Sequence, residues 1–158
     1  MSLTSKNKGI LGEAKVLAKF IELNCRVSIP YGDNAPYDLI VDCGGALLKI
    51  QVKTSECTSE GKTAFTLGRR RRNSFEQKNI KYANDEIDYF ALYSIVRDNI
   101  YLISAKEAPA EEISIRYELP KNNQLNAVRM EKDYLIDYVI NSLRNSCDNS
   151  LNEYNYSR

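Results

Sequence analysis

Tyr37–Thr54, YDLIVDCGGALLKIQVKT, reads as two strands joined by a tight turn. Gly44-Gly45 tolerates the positive φ values that a two-residue hairpin turn demands. With Cys43 and Ala46 flanking that turn, the register follows by counting: Asp42 faces Leu47, Val41 faces Leu48 and Asp38 faces Gln51. Directly opposed residues have Cβ atoms roughly 4.5–5.5 Å apart. Side chains alternate along a strand. Gln51 and Lys53 therefore share a face with Asp38, while Leu48, Ile50 and Val52 share the other. An acid, an amide and an amine gathered on a well-packed hairpin have the composition of a site.

The rest of the chain bounds what such a site can do. At 158 residues, 43% hydrophobic and 27% charged, it fits one soluble domain with a real core. No apolar run approaches the roughly 20 residues that span a bilayer, so no membrane partner is expected. The start, MSLTSKNKGILGE, has no long apolar stretch after its charges and does not read as a signal peptide. Cys25, Cys43, Cys57 and Cys147 are far apart and fit no zinc spacing. They read as reduced thiols in a cytoplasmic protein. There is no histidine. That excludes Ser-His-Asp and Cys-His triads, His-ligated zinc and histidine general bases. Catalysis must use carboxylates, amides, lysine, hydroxyls and an oxygen-ligated metal such as Mg²⁺. The net charge is +1, but residues 1–80 hold 13 Lys/Arg against 8 Asp/Glu, and residues 81–158 hold 9 against 13. The basic half carries the candidate site, which suits a polyanionic substrate.

Taken in order, residues 8–23 read as a helix with an apolar stripe of Ile10, Leu11, Ala14, Leu17, Ala18 and Ile21. Glu13 sits about 100° from Ala14, on the rim of that stripe. Arg26–Ile29 is a short strand, Tyr31–Pro36 a loop, and the hairpin follows. Ser55–Lys62 reads as polar loop and Ala64–Leu67 as a strand. Arg69–Arg72 is a basic loop leading to a helix over Ser74–Ala83. Ile87–Val96 and Ile100–Ser104 are antiparallel strands joined by a turn at Arg97-Asp98-Asn99, and Glu112–Leu119 is a further strand. A last helix runs from about Lys132 to Leu143. The expectation is a single α/β domain over residues 1–145, a mixed β-sheet flanked by helices, followed by a flexible polar tail over 146–158.

Asp38 and Gln51-Val52-Lys53 on adjacent strands resemble the PD-(D/E)XK nuclease superfamily. The proline is displaced by one, at Pro36. Gln51 stands where the pattern holds Glu or Asp, and Lys53 follows two residues later. Glu13 matches an extra helix acid found in several members. Gly9–Val16 in the form GxxGExxV, the hairpin, and IDYFALY…IYLIS are similar to the group I intron-encoded homing endonucleases built on this core. The likeness implies a restriction-endonuclease-like core and sequence-specific double-strand cleavage of DNA with Mg²⁺, Mn²⁺ being a substitute. Asp38 would ligate the metal, Glu13 would do so directly or through water, and Gln51 would offer its amide carbonyl. Lys53 would orient the attacking water or stabilise charge on the phosphate. With Gln51 neutral, Glu13 carries more of the metal's charge balance. Arg69, Arg70, Arg71 and Arg72, with Lys62 and Lys78, are the expected DNA contacts. Cutting both strands needs two sites, so a homo-oligomer is expected, a dimer or a dimer of dimers. A Holliday junction resolvase-like enzyme, a restriction nuclease and a non-catalytic DNA-binding module with a degraded site remain as alternatives.

Overall fold

The computed structural model describes residues 3–32, 34–70, 79–80, 82–83, 85–120 and 128–155. Helix α1 spans Ser5–Glu22, its N-terminus capped by the Thr4 side chain accepting from the Asn7 N–H at 3.3 Å. Strand β1 (Arg26–Ser28) follows, then β2 (Leu39–Asp42) and β3 (Leu47–Ser55). The turn between β2 and β3 is the two-glycine one: Gly44 and Gly45 have φ of 74° and 106°, and the Cys43 N–H donates to the Ala46 carbonyl at 3.2 Å. Leu39 pairs with Ile50 and Asp42 with Leu47, the register counted from sequence.

Strands β8 (Tyr89–Ser94) and β9 (Asn99–Ser104) complete a five-stranded mixed sheet in the order β1-β2-β3-β8-β9, with β3 and β8 parallel and every other pair antiparallel. Between β3 and β8 the described residues make four short strands. β4 (Thr58–Ser59) and β5 (Lys62–Thr66) form a hairpin whose turn residues Glu60 and Gly61 have φ of 48° and 72°. This replaces the polar loop expected at Ser55–Lys62, because two positive-φ residues suit a hairpin turn. β6 (Arg69–Arg70) pairs with β7 (Asn79–Ile80). Arg69 and Arg70 are thus strand and not loop. Asn79–Ile80, expected to be helical, is the partner strand; residues 74–78 of the expected helix lie outside the described residues. Strand β10 (Glu112–Arg116) pairs with β5 to give a three-stranded sheet, β10-β5-β4. A 3₁₀ turn at Glu131–Asp133 leads into helix α2 (Ile136–Asn155), which takes in residues 146–155 of the segment expected to be tail.

Two dry layers enclose the main sheet. On one face, Ile50, Val52, Ala91 and Tyr93 pack under α1 and α2, with Val16, Phe20, Ile136 and Ile140. On the other, Phe90, Leu92, Tyr101 and Ile103 meet Phe65, Ile113 and Ile115 of the small sheet. Helix α1 turns Gly12, Val16 and Phe20 to the sheet, spaced by four residues. Ile10 and Ile21, expected inside, are 53% and 56% exposed. The reason is Gly12: a Cβ there would lie 1.8 Å from Thr54 Oγ1, so only glycine lets the helix descend onto β3 at this point.

The β1–β2 register places Arg26 opposite Asp42. One pair further on, Cys25 and Cys43 are joined in a disulfide with Cα atoms 4.8 Å apart. This corrects the expectation of reduced thiols at these two positions. Their separation in sequence hides a cross-strand pair. Cys57 is an exposed free thiol. No described helix is long and apolar enough to cross a membrane.

Candidate active site

Asp38 stands at the entrance to β2, its N–H donating to the Ile50 carbonyl at 2.8 Å. Its Oδ2 accepts two hydrogen bonds from β3, one from the Val52 N–H at 2.7 Å and one from the Gln51 side-chain amide. The carboxylate therefore spans the strands it joins. Oδ1 accepts no hydrogen bond from the described residues. Gln51 Nε2 also donates to the Val52 carbonyl at 3.2 Å, so the amide's donor end is committed and its Oε1 is the open end. These contacts come from strand pairing: Gln51 lies opposite Asp38, and the backbone of β3 supplies the rest.

Lys53, two residues on, emerges on the same face. Its Nζ donates to Tyr82 Oη at 3.3 Å and lies 5.2 Å from the centroid of the Tyr82 ring. Burial pushes the Lys53 amine below its ordinary pKa, with Asp38 pulling the other way. Burial likewise raises the Asp38 carboxyl, against the lowering effect of the Val52 N–H, Lys53 and Gln51. Glu13 comes from α1. Its carboxyl is raised first by burial and then by repulsion from Asp38. Glu13 directly follows Gly12, which packs on Thr54 of β3. The structure thus brings Glu13, Asp38, Gln51 and Lys53 to one corner where β2 and β3 meet the helix.

The acids here are few. Among the described residues no group of three or more His, Cys, Asp or Glu is placed to hold a metal ion. The candidate ligand set is two carboxylates and one amide oxygen, as Gln51 in the place of an acid requires. A polar crevice lies elsewhere, between α1, the β8–β9 turn and α2. It is lined by Lys15, Lys19, Asp98 and Asp137, whose charges are already paired as Lys15–Asp98 and Lys19–Asp137.

Of the expected DNA contacts, Lys62 opens β5 and is partly exposed, and Arg69 and Arg70 form β6. Arg71, Arg72 and Lys78 lie outside the described residues. The segment 29–37 connects β1 to Asp38 at the end of the sheet where the site lies, since Ser28 pairs with Ile40. It carries Ile29 and a fully exposed Tyr31. Tyr82 is the residue that sequence reasoning missed. It sits in a polar run whose local pattern gives no sign that it returns to Lys53.

A family model described as PD-(D/E)XK endonuclease matches residues 3–137. Among solved structures, one described as that of a bacterial homing endonuclease, I-Ssp6803I, matches with a TM-score of 0.71 and 20% identity, over 92% of this chain and 97% of that one. At that identity the likeness establishes the fold. No curated protein sequence gives a significant match.

Proposed function

The chain belongs to the PD-(D/E)XK endonuclease family, and from that premise we propose that it is a Mg²⁺-dependent, sequence-specific DNA endonuclease of the homing type. The observation that carries the reading is the corner itself: an acid bonded across the hairpin to Gln51 and Val52, a second acid from α1, and a desolvated lysine on the same strand as Gln51.

The donor set fits Mg²⁺, which prefers oxygen ligands and is commonly held by one or two carboxylates plus water. Asp38 Oδ1 is the open carboxylate oxygen. A cation held by Glu13 and Asp38 would relieve the repulsion between the two carboxylates. Gln51, its amide N–H groups held by Asp38 and the Val52 carbonyl, would offer Oε1, the end left open. When bound, the ion supplies Lewis acidity toward the scissile phosphate and a nucleophile at neutral pH. The chain's own residues do the rest. An ammonium has three N–H donors, and Lys53 commits one of them to Tyr82. Two remain to orient the attacking water and to stabilise charge growing on a non-bridging phosphate oxygen. The Val52 N–H keeps the Asp38 carboxylate in place throughout.

Phosphate contacts come from Arg69–Arg72, Lys62 and Lys78, in the basic half of the chain. One chain supplies one site, so cleavage of both strands calls for a homodimer or a dimer of dimers. The likeness in fold to I-Ssp6803I, a bacterial homing endonuclease, supports the same class.

The test is purified protein on supercoiled plasmid and on genomic DNA with Mg²⁺, the cut ends being mapped. Cleavage at a defined sequence is expected, with paired cuts on the two strands. Lys53→Met should lower the rate by about 10²–10³-fold, with DNA binding retained. Protein that binds DNA and leaves it intact with both Mg²⁺ and Mn²⁺ is a binding module. Cleavage of branched DNA without sequence preference identifies a junction resolvase.

A further inference from the structure

We infer that Tyr82 is a positioning residue for Lys53, fixing where its ammonium stands and connecting it to the arginine-bearing β6–β7 ribbon. The inference rests on the reading of Lys53 as the active-site lysine. A lysine ammonium sits on a flexible four-carbon stem with three rotatable donors, and left to itself it samples many positions. Tyr82 limits that sampling in two ways. Its hydroxyl accepts a hydrogen bond from Nζ at 3.3 Å. Its ring lies 5.2 Å from the same nitrogen, within reach of a cation–π attraction.

A guide is useful only if it is itself fixed, and Tyr82 is. It is 8% exposed and packs edge-to-face on Phe90, with ring centroids 5.5 Å apart at 81°. Phe90 in turn is the β8 residue in register with Gln51. The contacts therefore close a circuit: Gln51 to Phe90 through the strand pairing, Phe90 to Tyr82 through the rings, Tyr82 to Lys53 through the hydroxyl. Asp38 and Lys53 are held by different parts of the chain, and Phe90 gives both a common reference. Tyr82 also lies two residues beyond β7, whose partner is Arg69–Arg70. The strand that pairs with the arginines is thus two positions in sequence from the residue that holds the lysine.

A purely structural Tyr82 would account for its burial and its ring contact, since a buried tyrosine hydroxyl usually finds some partner. The two roles differ in what the hydroxyl does. The experiment uses the full chain with Tyr82→Phe and Tyr82→Leu. Single-turnover cleavage at saturating DNA, DNA affinity and thermal melting are measured on each. Tyr82→Phe keeps the ring, so melting and affinity stay at wild-type levels while the rate falls about tenfold, as for a lost hydrogen bond to a charged group. Tyr82→Leu loses the ring as well and falls further. In a Lys53→Met background Tyr82→Phe should have no added effect, since residues that act as a unit are not additive. Wild-type turnover by Tyr82→Phe overturns the inference, as does a rate loss that follows melting or affinity. If Lys53→Met itself cleaves normally, the catalytic reading of the corner is what fails. An activity-free readout separates the two further. The lysine ε-carbon NMR signal, assigned through Lys53→Met, should carry a ring-current shift that Tyr82→Leu removes. No such shift means that Tyr82 does not hold Lys53.

Discussion

Strand β3 gives alternate residues to two faces of one sheet, and the two obey different rules. Ile50 and Val52 enter the layer under α1, where Val16, Phe20 and Ile50 are fully buried. Gln51 and Lys53 point the opposite way. Much of that second face is dry as well, since Phe90 and Leu92 on the neighbouring strand pack against the small sheet. The corner beside Asp38 is polar and charged. Burial under the helices removes apolar surface from water and stabilises the fold, at roughly 25 cal/mol per Å². Burial at the corner strips water from charges. It raises Asp38 and Glu13 and lowers Lys53, so each is less comfortable in its charged form than in the unfolded chain. One face makes the molecule stable, and the other spends part of that stability on groups prepared for a cation and a phosphate.

The comparison breaks most visibly if the helix-covered face also controls chemistry. Phe20→Ala empties a fully buried site and should cost about 3–5 kcal/mol of unfolding free energy, read from the shift in urea midpoint. At a temperature where the variant is folded, its cleavage rate should match the wild type. A rate loss in fully folded protein would mean that α1 transmits its packing to Glu13 and that the two faces are not separable.

How much of this was visible in the sequence depended on whether a local device fixed the geometry. The β2–β3 hairpin was legible because Gly44-Gly45 sets the turn and the turn sets the register, and the register alone put Asp38 opposite Gln51. The β1–β2 pair has no such device. Ten residues separate Ser28 from Leu39, so nothing announced that Cys25 would meet Cys43. The inward side of α1 was misread because counting apolar residues favours Ile10, Ala14, Ala18 and Ile21, whereas close approach to β3 depends on a residue with no side chain. Arg69–Arg72 read as a basic loop, yet Arg69 and Arg70 pair with Asn79–Ile80 through the backbone, which ignores side-chain polarity. Glu13 was legible from helix angle, since it flanks either version of the stripe. Tyr82 was not, because its partner lies 29 positions away and no periodicity joins them.

Gly12→Ala sharpens the same contrast with a smaller effect. The added methyl would lie 1.8 Å from Thr54 Oγ1 and 3.1 Å from its Cβ, so either the Thr54 side chain or the helix must shift. Overpacking of this kind costs about 1–3 kcal/mol. The Thr54 hydroxyl is buried with no hydrogen-bond partner among the described residues, so turning it away sacrifices no bond seen there and the cost should fall at the low end. Because Glu13 is the next residue, a helix that lifts also moves the second acid. Gly12→Ala should therefore show a modest drop in melting temperature together with a weaker apparent Mg²⁺ affinity in cleavage assays. Unchanged Mg²⁺ dependence beside a clear stability loss would place Glu13 outside the metal's reach.

Asp38→Asn should have the smallest effect on stability and the opposite sign. An asparagine keeps a carbonyl oxygen for the Val52 N–H, and the Gln51 amide can turn to pair with it. What disappears is a charge that burial disfavours. The folded-state pKa of Asp38 is raised above its ordinary 3.8, so the folded chain holds that proton more tightly than the unfolded chain does. Stability then falls as pH rises from the ordinary value through the raised one, and levels off above it. Glu13 is raised above 4.5 by the same kind of cause, with Asp38 as its second contributor, so removing Asp38 also eases Glu13. Asp38→Asn should match the wild type at about pH 3, where Asp38 is protonated in both states, and become the more stable of the two as pH approaches 7, with cleavage lost. Urea midpoints measured across that range give the answer. A wild-type advantage that grows with pH would mean that the Val52, Gln51 and Lys53 contacts outweigh desolvation, and that the corner contributes to stability as the core does.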